Sequence, residues 1–351
     1  LSEYDIAYIK WDHNRTLADA AHFGKATMRN QNIAIYRLFD ELKRRHPGLE
    51  IESCASGGGR IDLGMVDHAD RFWTSDDNDP LERQTIYRYT SIAIAPEMLG
   101  THIGPTHSHT TSRVHTVAFR GVTALFGHAG LEWDITETTA EERKALKAWA
   151  NYYKANRDLL HSGRVTRMDS IDGNAWVHGV VAQDGSRAIF AYVALELSQY
   201  VHPMAIVLGG LDDNALYNVK VVTPFGGYEE ITRGQSGWIN GVTLDGRYLQ
   251  SVGLSSPILK PEQAFLLEGI EDPALLFLRQ SDARVCHLEA QQVAGRDEGV
   301  GGLRLRDERP LHVGDAVAHL ADHRVAGGRV AVGIGPAPMC ERDEVEQGER
   351  A

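Results

Sequence analysis

Up to about residue 160, short apolar runs alternate with longer segments in which apolar positions recur near the helical period. Runs rich in β-branched and aromatic residues predict strands, and a recurrence about every 3.6 residues predicts helices. The predicted strands span 4–10, 49–53 and 72–74, and the predicted helices span 25–46, 81–95 and 140–161. The last helix starts with two overlapping capping boxes, Thr138 with Glu141 and Thr139 with Glu142. Strands that alternate with helices indicate a parallel sheet, either open or closed into a barrel.

From about Arg164 the pattern becomes one of short apolar runs separated by glycine-rich turns. The runs 175–183 and 187–195 are joined through Asp184 and Gly185, a dipeptide typical of tight hairpins. Further strands are predicted at 200–208, 216–222, 238–244 and 264–267. Several short strands at this spacing predict an antiparallel β-sandwich.

The composition changes again after about residue 269. From residue 278 onward the chain contains no Phe, Tyr or Trp, and no lysine follows Lys260. A segment without aromatic residues buries little area. We therefore predict an aberrant or poorly ordered tail at 270–351, with a partner-binding extension as the alternative. The predicted domains are 1–163, 164–269 and this tail.

Composition and charge exclude some classes of protein. The chain of 351 residues has 36 Lys and Arg against 48 Asp and Glu, a formal net charge of −12, which argues against a nucleic-acid-binding protein. No apolar run reaches the roughly 18 residues of a membrane span. Three cysteines are too few for a disulfide framework, so a reducing, cytoplasmic location is expected. Because Leu1 precedes a strand-like run almost directly, we expect a fragment of a longer protein, unstable when produced alone.

Three polar clusters follow the predicted strands. The first, at 10–15, combines two cations, a carboxylate, an amide and the indole of Trp11. Carbohydrate sites use this mixture, because an indole packs on sugar CH groups while charged and amide groups bind hydroxyls. The alternative is a solvated loop with a salt bridge.

The second cluster contains Cys54 and the consecutive glycines Gly57, Gly58 and Gly59, followed by Arg60. Three glycines allow the backbone to approach a ligand closely, and a phosphate-cradling loop is one interpretation. However, the Walker lysine and the G-x-G-x-x-G spacing are both absent. Cys54 is interpreted either as a nucleophile or, with more weight, as a small buried contact.

The third cluster, which follows Trp73, contains Asp76, Asp77 and Asp79. Calcium binding is a weak interpretation, since the EF-hand spacing is missing. The alternative is a carboxylate in a partly apolar site that serves as an acid. Together with Asp12 it would supply two carboxylates at the carboxyl ends of parallel strands, the minimum that glycoside hydrolysis requires.

In this order the clusters resemble glycoside hydrolase family 36, the large microbial α-galactosidases. That family carries a Lys-Trp-Asp-x-Asn-Arg motif, a Cys-x-x-Gly-Gly-Gly-Arg turn and a Trp-x-Ser-Asp-Asp/Asn-x-Asp segment, which match 10–15, 54–60 and 73–79. Matching flanks lie at 98–102, 106–111, 130–134 and 257–263, so the resemblance covers about residues 1–269. One departure is His13, where the family usually has an apolar residue such as Met.

The resemblance implies an α/β fold, the C-terminal part of a (β/α)8 barrel that starts near its fourth strand, followed by an antiparallel β-sandwich. It implies that Asp12 is the nucleophile and Asp76 the acid/base of a retaining α-galactosidase. The residues that it matches to sugar contacts are Lys10, Trp11, Asn14, Cys54 and Gly57. Asp77 and Asp79 match the motif but are expected to be structural.

The implied substrates are small α-galactosides such as melibiose and raffinose, with no metal or organic cofactor, no nucleic-acid or membrane partner and a homo-oligomer as one expectation for the whole protein. α-N-Acetylgalactosaminidase activity, galactosyl transfer of the raffinose-synthase type and a non-catalytic remnant remain alternatives. Four histidines also allow a metal cluster as an interpretation, but they lack the His-x-x-x-His spacing of a zinc helix. The resemblance places them around a late barrel strand and its loop, which favours ring hydrogen bonds at the rim of the site over metal binding. The four are His102, His107, His109 and His115.

Overall fold

The computed structural model describes residues 1–14, 21–169, 173–201, 203–231 and 236–272, all of which belong to one compact unit, Leu1–Cys286. The predicted tail, 270–351, lies almost wholly outside the described residues and stays a prediction. In chain order the strands and helices are β1 Tyr8–Asp12, β2 Ala21–His22, β3 Lys25–Ala26, α1 Met28–Arg45, β4 Glu50–Cys54, α2 Leu63–Val66, β5 Arg71–Trp73, α3 Pro80–Thr90, β6 Leu99–Ile103, α4 Val117–Ala124, β7 His128–Leu131, α5 Ala140–Ser162, β8 Arg164–Asp169, β9 Ala175–Val181, β10 Arg187–Ala194, β11 Leu216–Val222, β12 Val242–Asp245, α6 Gly246–Ser251 and β13 Gln263–Glu271.

The first half of the described chain forms a five-stranded parallel sheet in the order β1-β4-β5-β6-β7. Its register aligns Asp12 with Cys54 and Phe72 with Leu99, so the carboxyl ends of all five strands share one edge. The three predicted strands and three predicted helices of this half are confirmed with small boundary shifts. Strands β6 and β7 were not predicted, because their glycines, alanine and histidines carry little strand propensity.

The two faces of the parallel sheet have different neighbours. Ile51 and Phe72 pack with Phe39 of α1 in one apolar cluster. Side chains alternate along a strand, so Lys10 of β1 and Glu52 of β4, which are paired in register, point to the opposite face. We call that opposite face the inner face.

Helices α4 and α5 cover the later strands. Every residue of α4 is buried, including the polar Arg120 and Thr123, so its eight residues show no separate exposed polar face, and the helix was not predicted. At the start of α5 the capping box of Thr139 and Glu142 is confirmed, with both reciprocal hydrogen bonds present. The overlapping box of Thr138 is not formed, because the Thr138 hydroxyl donates to the Ile135 carbonyl instead.

The second half forms a six-stranded antiparallel sheet in the order β12-β11-β13-β10-β9-β8. The hairpin of β9 and β10 turns at Gly185, whose φ of 78° lies in the left-handed region. Apolar clusters cover both faces of this sheet, and one of them includes residues of α4 and α5. The coarse prediction, a parallel α/β region followed by an antiparallel β-rich region, is confirmed.

One predicted strand, 200–208, is wrong over its described residues. Only the isolated bridge between Ile206 and Leu254 forms there. The strand predicted at 238–244 is shortened, since Trp238 lies in a turn and donates to the Ser255 carbonyl. No helix in the described part of the chain is long and apolar enough to cross a membrane.

Candidate active site

The three polar clusters meet at the carboxyl edge of the parallel sheet. Asp12 ends β1, Cys54 ends the adjacent β4, and Asp76 lies three residues after the last residue of β5. Because β4 lies between β1 and β5, the loops that follow these strands are neighbours. The structure thus brings together residues that are more than sixty positions apart in the sequence.

Asp12 is held in its ionised form by its neighbours. Its Oδ2 accepts a hydrogen bond of 3.0 Å from Asn14 Nδ2, and the Cys54 thiol donates to the same carboxylate. Burial alone would raise the pKa of Asp12. The hydrogen bonds from Cys54 and Asn14 and the positive charge of Lys10 outweigh burial and hold that pKa below its ordinary value. The carboxylate is exposed and is therefore accessible to a ligand.

The thiol of Cys54 acts as a hydrogen-bond donor. Burial raises its pKa to about 11, so it remains protonated at neutral pH and is unsuited to nucleophilic attack. Asn14 also joins two loops, because its Oδ1 accepts a hydrogen bond of 2.8 Å from the backbone N–H of Ser56.

Gly57 brings the β4 loop against the loop of Asp76. Its φ is 76°, and a Cβ at this position would lie 2.5 Å from Ser75 Cα and 2.9 Å from the Asp76 nitrogen. At Gly58 a Cβ would lie 2.6 Å from the Thr74 carbonyl oxygen. Protein backbone therefore fills the space beside these two glycines, which argues against the phosphate-cradling interpretation. A sugar contact by Gly57 stays a prediction.

Asp76 is exposed and is oriented by an indole. Trp73 Nε1 donates a hydrogen bond of 3.1 Å to Asp76 Oδ1. The Trp73 side chain is buried, and two cations contact its ring: Lys10 Nζ lies 4.3 Å and Arg83 Cζ 4.2 Å from the centroid. A fixed indole fixes the carboxylate that it binds.

Asp77 and Asp79 are engaged by protein donors. Asp77 accepts hydrogen bonds from the Asp79 backbone N–H at 2.9 Å and from Thr110 at 2.6 Å. Asp79 is fully buried, caps the N-terminus of α3 and accepts a hydrogen bond of 3.1 Å from Arg113. Although burial opposes it, hydrogen bonds from Thr111, the helix backbone and Arg113 lower the pKa of Asp79. These contacts agree with a structural role and leave few oxygens for calcium.

Trp11 packs on a helix and also lines a cavity with His13 and Asn14. Since it lies between Lys10 and Asp12 on a strand, its side chain points away from the inner face. It packs edge-on against Phe39 of α1, with ring centroids 5.5 Å apart. The alternation of side chains assigns the indole to the helix-covered face, and a sugar contact by Trp11 stays a prediction.

Two residues of this region, Glu52 and Glu132, were not predicted as site residues, whereas His102 is one of the histidines predicted at the rim. Glu52 lies 3.7 Å from Lys10 Nζ. The His102 ring packs on Trp73 at a tilt of 32° with centroids 4.4 Å apart, and His102 Nδ1 lies 3.1 Å from Glu132. The hydrogen bond from His102 lowers the pKa of Glu132 despite partial burial. The sequence holds one signal for Glu52: it lies two residues before Cys54 on the same strand, so both side chains point to the same face of the sheet.

The four histidines do not form a cluster. His102 contacts Trp73, whereas His115 is buried and its Nε2 lies 3.0 Å from Glu262 of the antiparallel region. His107 lies on the loop between them, in a bridge with Val114. Across the described ranges, no three His, Cys, Asp or Glu side chains are grouped so that they could hold a metal ion.

Comparison with known proteins agrees with this geometry. Residues 1–163 match the model of the Melibiase family. These residues are melibiase-like. The chain is 41% identical over 273 residues to the α-galactosidase of Escherichia coli and 32% identical over 237 residues to the α-galactosidase AgaA of Geobacillus stearothermophilus. These alignments cover 76% and 65% of the chain, so the resemblance to family 36 α-galactosidases is confirmed.

Solved structures show the same relationship. A variant of the family 36 α-galactosidase AgaA from G. stearothermophilus in complex with stachyose matches with a TM-score of 0.67 at 27% identity, covering 78% of this chain and 36% of that one. The α-galactosidase from Lactobacillus brevis matches with a TM-score of 0.65 at 28% identity, covering 76% and 36%. The melibiase-like chain spans 39% of the length of the E. coli relative and 32% of AgaA.

Proposed function

We propose that the whole protein hydrolyses terminal, non-reducing α-galactosyl residues with retention of configuration. The observation that carries this proposal is the position of Asp12 at the end of β1 and of Asp76 on the loop after β5, on either side of β4. Neighbouring strands lie about 4.8 Å apart, so the backbones of β1 and β5 are roughly 10 Å apart. Carboxylates that reach toward each other over β4 can approach the separation of about 5 Å that retention requires.

The first step forms a covalent intermediate. A carboxylate oxygen of Asp12 attacks the anomeric carbon, and the bond from that carbon to the glycosidic oxygen breaks. The proton of Asp76 passes to the departing oxygen, so the leaving group departs as a neutral alcohol. The low pKa of Asp12 suits this step, because the nucleophile must be ionised while the acid is protonated.

The second step reverses these roles. Asp76, now ionised, removes a proton from water, whose oxygen attacks the anomeric carbon and displaces Asp12. Two inversions restore the original configuration. Trp73 holds the carboxylate of Asp76 in place through its N–H during both steps. Lys10 and Asn14 stand beside Asp12 and are proposed to bind sugar hydroxyls, as is the thiol of Cys54.

The finer architecture belongs to the same proposal. The parallel sheet is proposed to be part of a (β/α)8 barrel, and the antiparallel sheet one layer of a β-sandwich. The complexes of AgaA variants with raffinose and stachyose support an α-galactoside as the substrate. A cytoplasmic location for the whole protein is likewise proposed.

Azide rescue tests the two carboxylate roles separately. In the full natural protein that contains this chain, Asp12→Ala should lose hydrolysis of an aryl α-galactoside by about 10⁴-fold or more. Azide should then occupy the space of the missing carboxylate and yield β-galactosyl azide. Asp76→Ala should instead yield α-galactosyl azide, because azide attacks the covalent intermediate. Asp67→Ala, on an exposed aspartate that ends α2, is the control and should retain activity.

The same measurements discriminate the alternatives. Interchanged azide products would reverse the roles of Asp12 and Asp76. Raffinose incubated with an acceptor sugar would reveal galactosyl transfer, and an aryl α-N-acetylgalactosaminide would reveal the related hydrolase. A full natural protein that hydrolyses none of these substrates would contradict the proposed function.

A further inference from the structure

Glu52 is a buried carboxylate in the middle of a strand. It is 1% exposed, lies on β4 two residues before Cys54 and points to the inner face. Its Oε1 has no hydrogen-bond partner among the described residues. Since a buried carboxylate destabilises a fold unless it is paired, its presence requires a physical reason.

The surroundings accommodate this carboxylate specifically. The Tyr8 hydroxyl forms a hydrogen bond with it from the adjacent strand. On the other side, a Cβ at Gly100 of β6 would lie 3.2 Å from Glu52 Oε2 and 3.3 Å from Trp73 Cε3, so glycine leaves room for both side chains. Lys10, its partner in the strand register, places Nζ 3.7 Å from the unbonded Oε1.

Lys10 in turn connects Glu52 to both reactive carboxylates. Its ammonium lies 4.3 Å from the ring centroid of Trp73, the residue that binds Asp76. Its charge also contributes to the low pKa of Asp12. A lysine side chain is long and flexible, and without an anchor its ammonium would sample several positions.

We propose that Glu52 is a positioning residue that anchors the ammonium of Lys10 on the inner face, between Asp12 and Trp73. This inference rests on the proposed function. The gap of 3.7 Å is longer than a hydrogen bond, and a shift of less than about 1 Å closes it, as happens when apo contacts tighten around a substrate. Glu52 touches no reacting atom and acts only through Lys10.

A double-mutant cycle tests this role in the full natural protein. Glu52→Gln should lower kcat/KM for an aryl α-galactoside by about 100-fold, the loss expected when a binding group is misplaced by about 1 Å. Glu52→Gln combined with Lys10→Met should be no worse than Lys10→Met alone, because both remove the same anchored ammonium. Lys10→Met should also move the acid limb of the kcat/KM profile to higher pH, since Asp12 loses a neighbouring positive charge. Glu52→Gln should move it in the same direction but by less, because the released ammonium leaves Asp12 while the loss of the Glu52 charge opposes the shift.

Glu50→Gln is the matched control. Glu50 lies on the same strand and the same face, but it pairs with Arg71 at the opposite end of the strand, and its side chain is 53% exposed. This variant should stay within about twofold of the wild type. If Glu52→Gln fails to fold, as judged by circular dichroism, Glu52→Asp decides: it keeps the charge, and it should show an intermediate loss with the same shift of the acid limb.

Two results would overturn the inference. One is a folded Glu52→Gln or Glu52→Asp variant with wild-type kcat/KM and an unmoved acid limb. The other is a loss that simply adds to that of Lys10→Met. Both results require an active wild-type protein. If the proposed function fails, the wild-type protein itself hydrolyses no α-galactoside, so the two failures are distinguishable. In that case the inference about Glu52 falls with the proposed function.

Discussion

The two central strands β4 and β10 are buried to a similar extent but by different means. In β10 all residues from Ala188 to Ala194 are buried and apolar or aromatic, and apolar clusters cover both faces. In β4, by contrast, the buried positions include Glu52 and Ser53. The central strand of the antiparallel sheet therefore buries only apolar and aromatic side chains. The parallel sheet also buries polar side chains, and these lie near its carboxyl edge.

Unsatisfied polar atoms follow the same division. Among the described residues, the buried side-chain atoms without a hydrogen bond belong to Glu52, Ser53 and Asn78, and to His115, whose Nε2 nevertheless lies 3.0 Å from Glu262. All four residues lie in the parallel region, on or next to the loops of the proposed site. Buried groups of this kind destabilise a fold, and they persist where function requires them. Within one compact unit, the antiparallel sheet thus contributes mainly apolar packing, and the parallel sheet carries the polar groups of the proposed site.

The largest expected effect compares two phenylalanines. Phe265 of β13 is 1% exposed and stacks on Tyr192 with centroids 5.2 Å apart, whereas Phe72 of β5 is equally buried in a smaller cluster. Phe265→Ala should lower the free energy of unfolding by about 4 kcal/mol and Phe72→Ala by about 3 kcal/mol. Urea denaturation measures both. A larger loss in Phe72→Ala would break the comparison.

The next effect concerns the polar network of the parallel region. Asp79→Ala removes the cap of α3 and leaves Arg113 and Thr111 without their buried acceptor, so unfolding should become easier by about 3 kcal/mol. Asp245→Ala, which removes the cap of the short α6 in the antiparallel region, is the control and should cost about 1 kcal/mol. Equal losses would mean that the Asp79 network adds nothing beyond capping.

The pH dependence identifies an exception in the antiparallel sheet. Burial, helped by Arg88 and Arg167, lowers the pKa of His178 on β9 to about 4. As the pH falls, His178 takes up a proton near pH 6.5 in the unfolded chain but only near pH 4 in the folded chain. The free energy of unfolding therefore has its full value above pH 6.5 and decreases as the pH drops from 6.5 to 4.

His178→Gln should remove roughly 1 to 2 kcal/mol of the decrease in the free energy of unfolding between pH 6.5 and pH 4, after allowance for the partial exposure of the ring. Urea denaturation at pH 7 and pH 4.5 measures it, with the exposed His22→Gln as control. An unchanged pH dependence in His178→Gln would assign the acid sensitivity to the parallel region, where burial also lowers the pKa of His128 to about 4.

The smallest effect tests a cap on the surface of the parallel region. Thr139→Ala removes the hydroxyl that accepts from the Glu142 N–H and should cost about 1 kcal/mol, while Thr139→Ser keeps it and should cost less. Both are measured by urea denaturation. A loss above that of Asp79→Ala would contradict the view that buried polar groups dominate this region.

Much of this division was predictable from residue patterns. Periodicity located α1, α3 and α5, and the alternating runs located β9, β10 and β11, because each of these has one clear amphipathic or apolar pattern. Helix α4 escaped prediction because all of its residues are buried, and β6 and β7 because tertiary contacts override weak strand propensity. The strand predicted at 200–208 shows the opposite case, an apolar run that packs without forming a ladder.

By itself the sequence determined the change from an alternating α/β region to a β-rich region, the three polar clusters and the acidic residues Asp12 and Asp76, since composition and spacing are local properties. Only the tertiary structure decided which side chains meet. The strand register places Glu52 beside Lys10 on the neighbouring strand, and the alternation of side chains directs Trp11 toward α1. Close backbone approach at Gly57 joined the loop after β4 to the loop of Asp76. Such contacts depend on pairing between distant strands, which no local pattern encodes.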